Sequence, residues 1–102
     1  MNTTVNWLNR EFIVYTRDAN WNDVGGIYIF TGQNSQGQWV ALYIGKADSF
    51  QSRFSSHERW DEALLVGATH VHARVVAQEA TREAMEAELI RAYQPRLNIL
   101  LK

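Results

Sequence analysis

The chain contains no cysteine, which excludes a disulfide framework and any thiolate metal site. It has no surplus of one charge: ten Lys and Arg stand against eleven Asp and Glu, for a net charge of −1. Bulk positive charge therefore cannot hold nucleic acid, and contact with DNA or RNA must come from a local basic cluster. No apolar run approaches the roughly 20 residues needed to cross a bilayer, so no membrane partner is expected. The stretch MNTTVNWLNRE lacks the basic start and apolar centre of a secretory signal, and a cytoplasmic location is the expectation. There is no internal repeat and no low-complexity tract. What is present is 102 residues, 46% of them hydrophobic, with four Trp and a single Pro. That is enough for one core, and one folded domain over residues 1–102 is expected.

Residues 11–17, EFIVYTR, have strand composition. The stretch DANWNDVGG is dense in turn formers and reads as a loop. Strands near 26–31 and 39–45 flank the loop GQNSQGQ as a hairpin. ADSFQSRFSSHERW opens a helix, with Asp48 or Ser49 as N-cap and Phe50 and Phe54 at i, i+4. DEALLVGA continues or restarts that helix, which Gly67 ends. THVHARVV alternates as a strand, with Val71, Ala73 and Val75 on one face. EATREAMEAELIRAYQ is the clearest helix, stopped by Pro95. The order strand, strand, helix, strand, helix implies an α+β fold, an antiparallel sheet with helices packed on it.

A hairpin turn centred near Ser35 and Gln36 sets Tyr28 opposite Tyr43, Ile27 opposite Ile44 and Ile29 opposite Leu42. One face then carries Ile27, Ile29, Leu42 and Ile44, and the other carries both tyrosines with Phe30 and Ala41. Tyrosine is a common strand residue whose ring packs while its hydroxyl reaches water. The sharper reading is that two phenols are aimed together at something polar.

On the last helix, spacing of about 100° per residue puts Glu86 inside the apolar arc formed by Met85, Leu89, Ile90 and Tyr93. Glu88 points away and Glu83 lies at the edge. A carboxylate on the packing side must be paired, protonated or bound to a cation. A salt bridge to Arg82, Arg53 or another cation would satisfy it, as would a hard divalent metal. Lys46 follows the second hairpin strand, and Arg53 and His57 stand at i, i+4 on one helix face. His70, His72 and Arg74 share a strand face that is expected to be solvated. A zinc site there lacks a third ligand.

Together these residues resemble the GIY-YIG nuclease family. Gly26-Ile27-Tyr28 is similar to its first tripeptide and Tyr43-Ile44-Gly45 to its second. YIGKADSFQSRF, with Lys46 and Arg53, resembles the second strand and following helix, and His57 stands where the family carries His or Tyr. EAELIRAYQPRLNILL, with Glu86, Leu89, Ile90, Pro95 and Asn98, resembles the closing motif. The resemblance runs from about Gly26 to Leu101 and leaves residues 1–25 as an extension with a packing role.

The resemblance implies a small three-stranded antiparallel sheet flanked by helices. It also implies a metal-dependent endonuclease that hydrolyses DNA phosphodiester bonds. Its implied site is Tyr28, Tyr43, Arg53, His57 and Glu86, with Lys46 and Asn98 in support. Glu86 would hold a single Mg²⁺ or Mn²⁺ ion. Tyr28 would orient or deprotonate the attacking water, with Tyr43 hydrogen-bonding in support. Arg53 would clamp the phosphate. His57 would bond a tyrosine or move a proton, and Asn98 would fix nearby backbone. The implied partner is branched, damaged or single-stranded DNA, reached through dimerisation or a targeting protein. The alternative is a catalytically silent nucleic-acid-binding or protein-interaction module on the same fold.

Overall fold

The computed structural model describes residues 3–100. Five strands, β1 (Thr4–Trp7), β2 (Arg10–Thr16), β3 (Gly26–Gln33), β4 (Trp39–Ala47) and β5 (His70–Val75), form one antiparallel sheet in the order β1-β2-β5-β3-β4. The helices are α1 (Phe50–Phe54), α2 (Glu58–Leu65), α3 (Glu79–Tyr93) and α4 (Arg96–Leu100). The fold is α+β as expected, but its sheet has five strands rather than three. The extra strands, β1 and β2, come from the 25-residue extension, and β2 pairs directly with β5.

Both faces of the sheet are covered, so the interior strand β3, between β5 and β4, is buried along nearly its whole length. On one face Tyr28, Phe30, Leu42, Val71 and Ala73 pack with Phe50, Trp60, Ala63 and Leu97 of the helices. On the other Phe12, Ile27, Ile29 and Ile44 meet Met85 and Leu89 of α3.

The hairpin register differs from the expectation. Phe30, not Tyr28, lies opposite Tyr43, and Tyr28 lies opposite Gly45. A bulge between Phe30 and Thr31 then shifts the pairing by one residue towards the turn. Because side chains alternate, that shift exchanges faces for the residues at the bulge. Leu42 joins the tyrosine side and Ala41 the aliphatic side, the reverse of the uniform alternation. Beyond it, the Asn34 Oδ1 accepts from the backbone N–H of Gln36 and Gln38 at 3.0 and 2.9 Å, closing the turn.

The face expected to be solvated on β5 is not. His72 is fully buried, and its Nδ1 accepts the indole N–H of Trp7 at 3.0 Å. Burial, with His70 adding a smaller effect, pushes its pKa down to about 4. Protonation would both charge a buried ring and remove the acceptor that Trp7 uses. No group of three or more potential metal ligands occurs among the described residues, and no described helix is long and apolar enough to cross a membrane.

Since His72 binds its proton more readily when unfolded, stability is full above pH 6.5 and is lost as pH falls towards 4. The loss through this one group is about 3 kcal/mol. Urea titrations between pH 7 and 4.5 should show it, and His72→Asn should lose stability at neutral pH while flattening the profile.

Candidate active site

The site is built on Tyr28, whose position depends on a missing side chain. A Cβ at Gly45, its cross-strand partner, would sit 2.3 Å from the Tyr28 hydroxyl and 2.4 Å from its ring. Only glycine there lets the phenol lie across β4. Gly26 is under a separate constraint: a Cβ would meet the Arg74 carbonyl at 2.1 Å and Phe50 at 2.7 Å. Gly45 is therefore required by the Tyr28 ring, and Gly26 by the close approach of β5 and Phe50.

Tyr28 is 1% exposed, and its ring meets Tyr43 at 6.3 Å and the edge of Phe54 at 4.9 Å. Its hydroxyl lies 2.6 Å from Nε2 of His57. The Nδ1 of His57 accepts the Arg59 backbone N–H at 3.0 Å. In the neutral ring Nε2 therefore carries the hydrogen and donates it to the Tyr28 oxygen. Burial, then the neighbouring Tyr43, pushes the Tyr28 pKa up, while the Arg53 guanidinium and its hydrogen bond pull the other way. At rest the group is a neutral phenol whose oxygen faces two donors.

His57 does not share a helix face with Arg53 as the i, i+4 spacing suggests. The helix α1 ends at Phe54, and His57 is the N-cap of α2. The interruption turns the imidazole back to the phenol. Ser49, rather than Asp48, caps α1 by accepting the Ser52 N–H at 3.2 Å. Arg53 lies in the last turn of α1 and lines an open basin with Lys46, Ser49 and Ser52.

Glu86 reaches the same region from α3. It is half-buried, its pKa raised by burial and, less strongly, by Glu83. The Lys46 ammonium and the Lys46 backbone N–H oppose that rise. Neither arginine weighed as its counter-ion fills the role. Arg82 is buried, donating to Asp48 at 2.8 Å and to the Val76 and Ala77 carbonyls at 3.0 and 3.2 Å. Arg53 faces Tyr28. Glu83 takes the Lys46 ammonium at 3.3 Å, and Glu88 pairs with Arg10 away from the site. One partly desolvated carboxylate beside an open basin suits Mg²⁺ or Mn²⁺, which keep several waters and need few protein ligands.

Asn98, on α4, clamps the middle of the second tripeptide. Its Oδ1 accepts the Ile44 N–H at 2.8 Å and its Nδ2 donates to the Ile44 carbonyl at 2.9 Å. Sequence reasoning placed Asn98 near this backbone but weighed Arg82 as a partner of Glu86, whereas its link to Asp48 ties the β4–α1 connection to the start of α3.

The profile of the UvrC-like GIY-YIG domain matches residues 24–99. Among curated relatives, the chain is 36% identical over 84 residues to the UvrABC system protein C of Chlamydia trachomatis, covering 76% of this chain and 13% of that one. The Microcystis aeruginosa UvrABC system protein C is 37% identical over 84 residues, with the same coverage. The chain thus spans about an eighth of the length of these relatives. Among solved structures, the fold is similar to the GIY-YIG N-terminal endonuclease domain of UvrC from Thermotoga maritima bound to its catalytic divalent cation, magnesium. That likeness has a TM-score of 0.61 and 28% identity, covering 74% of this chain and 84% of that one.

A raised carboxylate pKa means that the fold favours the neutral acid and loses stability as pH rises through the folded value. Glu86→Gln should therefore melt higher than the wild type in EDTA at neutral pH, as thermal denaturation would read. Asn98→Ala leaves two backbone groups of Ile44 unpaired and should cost about 1–3 kcal/mol in chemical denaturation.

Proposed function

Because the chain belongs to the UvrC-like GIY-YIG domain family, and is an endonuclease domain by kind, we propose that it hydrolyses DNA phosphodiester bonds with one divalent metal ion held by Glu86. The observation that carries this reading is that three groups lie within electrostatic reach of one another, one of them lining an open basin. They are a phenol with two donors on its oxygen, a guanidinium and a half-buried carboxylate.

A divalent ion bound at Glu86 would neutralise phosphate charge and stabilise the leaving 3′ oxygen. The chain's own groups do the rest. Tyr28, neutral at rest, orients the attacking water through its hydroxyl oxygen, and it takes the water's proton only as a phenolate, once its own hydroxyl proton has passed to solvent. The His57 Nε2–H and the Arg53 guanidinium are the donors that stabilise that developing phenolate. Arg53 also faces the basin, where its planar fork binds a non-bridging phosphate oxygen better than lysine would. Tyr43, packed beside Tyr28, supports the water from the neighbouring strand. Lys46, paired to Glu83 across the basin rim, adds positive charge and opposes the rise that burial gives the Glu86 pKa. Asn98 holds the backbone from which Tyr43 and Gly45 project.

The wider setting belongs to the same proposal. The chain acts as one unit inside the cell on branched, damaged or single-stranded DNA, in repair or recombination. With a net charge of −1 it reaches that DNA as a dimer or through a targeting protein, and its affinity falls steeply with salt. The competing reading, a silent binding module, has no evident use for a half-buried carboxylate set beside a tyrosine, a lysine and an arginine.

Supercoiled plasmid and branched DNAs, incubated with Mg²⁺, Mn²⁺ or EDTA, test the reading directly. Nicking should require the metal, vanish in Glu86→Ala with the fold intact, and fall by about 10²-fold or more in Tyr28→Phe. Metal-dependent cleavage by Glu86→Ala would sink the assignment.

A further inference from the structure

Behind the Tyr28–His57 pair lies a second recess that the hydrolytic machinery does not use. It has a volume of about 200 Å³ and opens between the β2–β3 loop and the α1–α2 junction. Trp21, Phe54 and Trp60 give it aromatic walls, and Ser55, Arg17 and His57 give it polar edges. Two features of this recess lack an explanation within the fold. The indole N–H of Trp60 is buried without an acceptor, although the residue is only 4% exposed. The guanidinium of Arg17 stands 5.3 Å above the Trp60 ring, with no carboxylate partner among the described residues. An orphaned buried donor on a residue that lines an aromatic recess, with a cation at its mouth, is complementary to a flat heterocycle that carries acceptor atoms and an attached phosphate.

We propose that this recess receives one unpaired nucleobase of the DNA strand being cut, its ring against the aromatic walls, an acceptor atom on the Trp60 N–H and its phosphate on Arg17. The volume suits one base and not a base pair. Stacking on aromatic side chains is worth about 1–3 kcal/mol per base, and an already unpaired base avoids most of the cost of leaving the helix. The contact gives a nearly neutral chain a way to select distorted DNA without a basic surface. His57 borders both the recess and Tyr28, so the occupied recess fixes the strand next to the reacting phosphate. The inference rests on the nuclease reading for the identity of the strand, while Arg17 comes from the segment outside the family match.

The test uses a duplex with a single unpaired 2-aminopurine and its fully paired counterpart, bound to the full chain in EDTA so that no cutting is needed. The unpaired probe's emission should change on binding, equally in Glu86→Ala. Arg17→Ala, and Trp60→Phe which keeps the ring and removes the N–H, should each reduce that change. Both should also narrow the preference for unpaired over paired DNA by about 5-fold or more in anisotropy titrations. In Mg²⁺ both variants should still nick fully paired plasmid. Equal affinity of the wild type for the two duplexes, or a preference that survives both substitutions, overturns the proposal. So does an emission that ignores both substitutions, which would leave the recess to a protein segment. Failure of nicking with the emission response intact would instead count against the nuclease reading alone.

Discussion

The close passage of the Tyr28 phenol over Gly45 is the contact around which the rest is arranged. It requires two strands to pair with one aromatic ring lying flat across the other, where no Cβ can stand. That placement buries the ring, and burial raises the cost of ionising it. Two donors on its oxygen then become the only means of making the phenol responsive. The interruption between α1 and α2 supplies one of them by releasing His57 from helical geometry, and the last turn of α1 supplies the other. A continuous helix through residues 50–65 would have pointed the imidazole along the helix surface instead.

The two layers on either side of the sheet have different tasks. The face with α1 and α2 holds the aromatic side chains that shape the site and the recess behind it. The face with α3 is aliphatic and delivers one carboxylate at its margin. The hydrogen bond between Trp7 and His72 ties the N-terminal strands to the centre of the sheet from this second face. Tyr93 adds to that tie by accepting the Leu8 N–H at 2.8 Å. The extension is thus integrated into the sheet, not draped over it.

Much of this was legible because the site residues sit in strongly patterned elements. Helical periodicity placed Glu86 on the packing side of α3, and strand alternation put both tyrosines on one face. The register was not legible, because nothing in the loop marks the bulge at Phe30. A β-bulge is settled by how strands twist against their neighbours, and not by local preference. Strand β1 escaped notice because Leu8 and Asn9, at positive φ of 49° and 62°, form its turn without the glycine that signals such hairpins. His72 was misjudged because alternation says which face a residue is on, and only the packing of Trp7 and Trp39 says whether that face meets water.

The bidentate grip of Asn98 on Ile44 has one further result. Strand β4 is an edge of the sheet, and a carboxamide that takes both main-chain groups of a residue near its centre stands where another strand would have to lie. Association by sheet extension is therefore closed off at the border that carries the site, and the substrate approaches a margin no second chain can zip onto. The opposite border, β1, spans only four residues. A pair of chains would meet through side chains or through that short strand, leaving both basins clear.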